Sequence, residues 1–380
     1  MYDGKQTMEK KIIKAKRNGE IDFLRFVFCI IIVIHHYNAL WDFGLFYRGY
    51  IAVEFFFLLS GYYMASHAKE VLKKHNGKLE VGKETWVFII RKVKSFYRYY
   101  LVAILLQIVI RFILINHINF KQLVIDIFQS IPTFSLTFFV LDYKTRALYV
   151  GSTWFLSVML LCMIILYPLL LKSYDFSSRV LFPLLSLFLL GYLCHNYGSV
   201  VEFESWNGFC LEGIVRGIGE ISGGATIFSV VEFLKESNAD NPGVKRKSRE
   251  GLVTVLKVTC YIVVFAFAIT GSKARYNYTL HAYLFCVLGI IASFLDAGFR
   301  IKDSAVTRYL GRISVPIYIF HGVLRWSFKD LLGNTISSPV FFCLILVSIV
   351  LSIAFMYFSD YAFNLIRRKK DLTIPDINHS

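Results

Sequence analysis

Arg25 and His36 stand eleven positions apart inside a run of apolar residues. At about 100° per residue that is three turns plus about 20°, so both side chains share one helix face, about 16 Å apart along the axis. A guanidinium suits an anionic ligand, and a neutral imidazole suits proton transfer. His35 is rotated well away from that stripe. Glu54 lies just inside the next apolar run, and His36 lies near the end of the first. In a helical hairpin the two reach similar depth, where His36 serves as a general base and Glu54 fixes its tautomer and stabilises the imidazolium. The same spacing equally describes a structural hydrogen bond beside a snorkelling arginine. His321 falls at the depth of His36 in a later run. Glu212, Arg216 and Glu220 recur every four residues as one charged stripe, either the lining of a polar cavity or an internal ladder of ion pairs. Ser60-Gly61 permits close helix approach or a helix break. Arg91, Lys92 and Lys94 make a basic edge that fits a membrane anchor or a seat for an anionic, nucleotide-bearing cofactor.

Other chemistries find no support. The seven cysteines are scattered, with no Cys-x-x-Cys pair and no Cys/His cluster, so neither a disulfide scaffold nor a metal site is expected. Phosphate-cradling Gly-rich loops, Gly-x-Ser-x-Gly and His-Glu-x-x-His are all missing from the sequence.

The elements that must hold these residues are membrane helices. Of 380 residues, 56% are hydrophobic and 18% charged, against about 45–50% and about 25% in soluble domains. Mean hydropathy is +0.55. Apolar windows predict ten spans, at 22–41, 50–67, 97–116, 153–172, 180–195, 211–234, 252–270, 277–296, 307–327 and 339–360. A further stretch at 121–141 is short, contains Pro132, and reads as interfacial or re-entrant. The expected protein is all-α: a basic leader (1–20) with no cleaved signal peptide, one bundle of about ten transmembrane helices (21–362), and a tail (363–380). With the N-terminus inside, 28 of the 42 Lys and Arg fall in inner segments, 7 in outer loops and 7 within spans. That asymmetry predicts two cytoplasmic termini. It also makes the +16 net charge a topology signal rather than a nucleic-acid footprint. The residues alone describe a buried His/Glu/Arg site reachable from both sides, and they fit an enzyme or a transporter alike.

Four segments together resemble the acyltransferase-3 family of membrane O-acyltransferases. Ile21-Asp22-Phe23-Leu24-Arg25 through His36 is similar to that family's Leu-Asp-x-Leu-Arg opening and its Arg-x10-His motif. Gly49 to Tyr62, with Glu54, Ser60 and Gly61, resembles its Gly-Val-(Asp/Glu)-x-Phe-Phe-x-x-Ser-Gly-Phe pattern. Trp154-Phe155-Leu156-Ser157 to Tyr167-Pro168 resembles its Trp-Phe-Leu…Pro helix, and Gly311 through Ser314 and Tyr318 to His321 its Gly-x-x-Ser-x-x-x-Tyr-x-x-His span. The resemblance implies transfer of an acyl group, usually acetyl from acetyl-CoA, to a hydroxyl of a cell-surface or lipid-linked glycan. It makes His36 the catalytic residue and ties Arg25 to the donor. The chain departs from many members near span 3, where Ser95 and Arg98 stand, so only Arg91 carries over there. Met159 stands where members with a fused esterase-like domain often carry Glu, and no such domain is expected.

The combined expectation is a multi-pass plasma-membrane O-acyltransferase. Its catalytic residues are His36 and Glu54, with Arg25, Arg91 and Lys92 for acetyl-CoA, and His321, Arg216, Glu220 and Ser60 for the acceptor. Expected partners are a glycan or lipid-linked sugar, membrane lipid and polysaccharide-assembly proteins. The alternatives are a secondary transporter or flippase for an anionic or glycolipid substrate, and an inactive relative that binds a lipid-linked glycan. Transporters often carry internal repeats with broken helices, and no repeat is visible.

Overall fold

The first helix begins where Asn18 caps it, its side-chain oxygen accepting from the N–H groups of Glu20 and Ile21. In the computed structural model the described residues are 17–75, 79–115, 118–137, 139, 153–239, 246–270, 278–295 and 297–373. They form helices α1 (Gly19–Trp41), α2 (Ile51–Lys74) and α3 (Val81–Ile110), the last continued by a turn of π-helix, Arg111–Ile115. Short α4 (Phe120–Gln129) and α5 (Ile131–Phe134) follow. Then come α6 (Trp154–Lys172), α7 (Tyr174–Tyr197), α8 (Glu212–Ala239) and α9 (Arg246–Ile269). The last three are α10 (Thr279–Phe294), α11 (Ala305–Leu332) and α12 (Ser338–Thr373). No strand forms among the described residues.

Seven of these, α1, α3, α6, α7, α8, α9 and α12, are long and apolar enough to cross a membrane. α2 and α11 are more polar, and α10 is a shorter apolar helix. The contacts of α2 and α11 with the rest fix their direction. Between α1 and α11 the sequence separation of contacting residues stays nearly constant, from 285 at Cys29–Ser314 and His36–His321 to 292 at Trp41–Gly333. A constant difference means parallel helices. α2 and α8 are parallel by the same criterion, with separations of 162 at Glu54–Arg216 and 163 at Lys69–Glu232. Those two contacts delimit about 22 Å of shared helix length. α2 and α6 match too, at 99 for Ser60–Met159 and 100 for His67–Tyr167.

Because α2 and α6 point the same way, α3 runs back between them. The described part of 121–141 includes amphipathic α4. That helix exposes Phe120, Val124 and Phe128 while its buried Asp126 accepts from Arg111 at 2.7 Å and Gln122 at 2.8 Å.

Some helices overrun their apolar windows. α3 starts at Val81 rather than 97, and its 30 residues make about 45 Å of helix, longer than the ~30 Å hydrocarbon layer. α12 reaches Thr373, so the expected tail is helical throughout its described length, 363–373. Helix propensity continues past the bilayer edge, where apolar content stops marking it. Residues 1–16 of the leader and 374–380 of the tail lie outside the described residues.

α2 runs unbroken through Ser60-Gly61, which marks close approach and not a break. A Cβ on Gly61 would lie 2.0 Å from the Ile221 carbonyl oxygen, and one on Gly224 would lie 2.0 Å from that of Leu58. The backbones of α2 and α8 therefore touch at small residues. Gly61→Ala is expected to destabilise the bundle by about 1–3 kcal/mol, the usual penalty of overpacking. Thermal unfolding in detergent, followed by size-exclusion chromatography, checks this; an unchanged midpoint would contradict so tight a crossing.

Candidate active site

Parallel packing of α1 and α11 brings two imidazoles together. His36 Nδ1 lies 2.8 Å from His321 Nε2. The ring planes are within 8° and the centroids 5.1 Å apart, so the rings meet edge to edge through those nitrogens rather than face to face. Nδ1 of His321 lies 3.1 Å from the Ile317 carbonyl oxygen, one turn back on its own helix. His321 is fully buried, whereas His36 is half-buried. Arg325 and Lys329, the next turns of α11, donate to the carbonyls of His36 at 3.2 Å and Leu40 at 3.3 Å. Cations there complement the negative end of the α1 dipole and fix the height of His36 against His321. His35 turns away to the Phe46 carbonyl at 2.9 Å, as its position on the helix implied.

A cavity of about 140 Å³ opens below this pair. Arg25, Lys92 and Ser95 mark its charged and polar side, with Ser60 and Ser314 also on the wall. The rest is mainly apolar, from Phe56, Phe155 and Met159 to Ile32 and Tyr318. Ile32 and Tyr318 lie about one turn before His36 and His321 in their helices, and the Tyr318 ring centroid is 5.9 Å from that of His321. At the Arg25 end, Asp22 accepts from Arg17 and lies 3.6 Å from Arg25 Nη1. Gly311 makes room for this carboxylate, since a Cβ there would fall 2.5 Å from Asp22 Oδ1. Two of the sequence motifs are thus one contact.

Glu54 is placed otherwise than the hairpin reading expected. Its carboxylate accepts from Arg216 Nη2 at 2.5 Å, and the group on His36 Nδ1 is His321. The reason is azimuth: Glu54, Leu58 and Gly61 share one face of α2, and that face is pressed against α8. Arg216 also donates from Nε to Glu220 at 2.9 Å and from Nη1 to the Val201 carbonyl at 2.8 Å, with its guanidinium 5.4 Å from the Trp154 ring. Glu54, Arg216 and Glu220 are at most 1% exposed and stay off the cavity wall, so they form a closed strut between α2 and α8. Glu212, first of the same stripe, instead accepts from Tyr192 and Tyr197, each at 2.8 Å.

Of the basic edge, Lys92 reaches the cavity, together with Ser95 and Phe96 one turn on. Arg91 points elsewhere, to His67 Nε2 at 3.1 Å. Sequence reasoning passed over Arg325, although its position four residues after His321 puts both on one face of α11. Among the described residues no group of three His, Cys, Asp or Glu side chains could hold a metal ion.

Residues 18–357 match the acyltransferase domain of the acyltransferase-3 family. No curated protein and no solved structure matches the chain. Because the family match runs from the Asn18 cap of α1 into α12 and takes in both histidines, the chain belongs to the acyltransferase-3 family and is a multi-pass membrane acyltransferase.

Proposed function

We propose that the protein transfers an acyl group, acetyl in the first instance, from acyl-CoA to a hydroxyl of a cell-surface or lipid-linked glycan at the plasma membrane. The observation carrying this reading is the cavity that leads from Arg25 and Lys92 to the turn beneath His36. Its cationic end suits the phosphates of the donor, and its narrow apolar body suits the arm that bears the thioester. Half-buried His36 takes the proton of the acceptor hydroxyl while that oxygen attacks the thioester carbonyl carbon. The carbon–sulfur bond then breaks, and the proton on His36 passes to the departing thiolate, leaving an ester and free CoA. Glu54, Arg216 and Glu220 take a structural part, holding α2 against α8.

The chain crosses ten times in this reading, with both termini cytoplasmic. α8 runs with α2 and hence opposite to α1, while α11 runs with α1. Two crossings between α8 and α11 satisfy both directions, and α9 and α10 supply them. With the N-terminus inside, the Arg25 end of the cavity faces the basic, cytoplasmic side, where acyl-CoA is made.

Surface glycans from cells with and without the protein, read by mass spectrometry for ester-linked acetyl groups, test the reaction. Acetyl esters present only with the protein support it, and identical glycans would overturn it. The donor seat is tested separately by equilibrium binding of CoA to the purified protein. Arg25→Gln and Lys92→Gln are each expected to weaken Kd by roughly 10- to 100-fold, the worth of a hydrogen bond to a charged group at about 1.5–3 kcal/mol. Unchanged affinity in both would place the donor elsewhere.

A further inference from the structure

His321 is fully buried against half-buried His36, and it touches neither donor nor acceptor in the reading above. Its hydrogen bonds nevertheless determine which nitrogen of His36 reacts. The Ile317 carbonyl 3.1 Å from His321 Nδ1 can only accept, so that nitrogen carries a hydrogen. In a neutral imidazole the other nitrogen, Nε2, then accepts. The 2.8 Å contact between the rings must take its hydrogen from His36 Nδ1. His36 is therefore the Nδ1–H tautomer, and its basic lone pair is on Nε2. The reverse order would put hydrogens on both nitrogens of His321. That adds a second buried positive charge one turn from Arg325, whose side chain is 9% exposed overall.

From this chain of donors we infer that His321 is a positioning residue: it holds His36 in the Nδ1–H tautomer and presents Nε2 as the atom that accepts the hydroxyl proton. The inference rests on the reading of His36 as the base. When His36 Nε2 takes the proton, the ring becomes an imidazolium whose Nδ1–H still donates to His321 Nε2. That bond becomes charge-assisted as the charge forms. The same proton then leaves from Nε2 to the thiolate, and His321 ends the cycle in the state in which it began. The role first expected of Glu54 belongs to a second histidine, one helix away on the other side.

Two variants and one spectrum test the assignment. His321→Gln supplies an amide oxygen able to accept from His36 Nδ1–H; His321→Ala supplies nothing. Alanine is expected to lower kcat by roughly 100-fold or more, the effect of losing the group that orients a catalytic imidazole, while glutamine restores most of that loss. CoA affinity stays at the wild-type value in both, which reports intact folding and an intact donor seat. In protein labelled with 15N at its nine histidines, the His36 signal, identified by its absence in His36→Ala, is expected to report hydrogen on Nδ1. A His36 signal with hydrogen on Nε2 would overturn the assignment, as would a folded glutamine variant as inactive as alanine. If His36→Ala is inactive while His321→Ala turns over normally, the positioning role falls and the base survives. If His36→Ala is itself fully active, the reading of the base falls.

Discussion

Replacing His36 by alanine is expected to lower kcat for acyl transfer by roughly 100- to 10,000-fold, the usual contribution of a general base. CoA affinity should stay close to wild type, because His36 is not part of the cavity wall that Arg25 and Lys92 line. Neither His321 nor Arg325 is placed to take over. His321 is fully buried against it, and Arg325 reaches residue 36 through the backbone carbonyl, a contact that alanine keeps. Truncation does leave His321 Nε2 without its donor, a cost of about 1–3 kcal/mol in stability. Activity is therefore compared per folded molecule, with CoA binding as the gauge of folding. A folded alanine variant that transfers acetyl at the wild-type rate would sink the general-base role.

Which stretches become helices was legible from sequence, and azimuth was not. Each of the ten apolar windows falls on a helix among the described residues, because the hydrocarbon layer dictates how much apolar chain must be continuous. Helix ends such as Val81 and Thr373 were not legible, since nothing apolar marks a helix that continues into water. Arg25 and His36 could be paired because both lie on one helix and the geometry of a single helix is known. Pairing His36 with Glu54 needed the relative rotation of two helices, and equal depth does not supply it. The clue to that rotation lay in Gly61, seven residues from Glu54 and so on nearly the same face. A glycine pressed against another backbone shows which way the face points, and this one points to α8. Arg91 and Lys92 were both expected at the donor; Lys92 lines the cavity and Arg91 contacts His67. Their order in sequence does not tell them apart, because Ser95 on the cavity wall is only about 40° from Arg91 around the helix.

The largest loss of stability is expected from Arg216→Met. Its guanidinium holds Glu54 at 2.5 Å, Glu220 at 2.9 Å and the Val201 carbonyl at 2.8 Å, so three acceptors lose their donor together. All three side chains are closed to solvent, and removing one partner of a buried ion pair costs about 3–5 kcal/mol. Methionine fills much of the volume without restoring the charge, which isolates electrostatics from packing. Glu220→Gln is the counterpart. It leaves one guanidinium against one carboxylate, keeps an acceptor for Arg216 Nε, and is expected to cost only about 1 kcal/mol. Changing Glu54 and Glu220 to Gln together strands the guanidinium without a counter-charge and should again be severe. Unfolding midpoints and the yield of monodisperse protein rank the four chains: wild type, then the single Gln variant, then Arg216→Met and the double Gln variant. A strut and an acceptor-binding arginine part company in this series. If Arg216 bound the acceptor, Arg216→Met would melt normally and show a raised KM for the glycan. If it holds α2 to α8, the variant loses folded protein first, and the molecules that do fold keep their affinity for CoA.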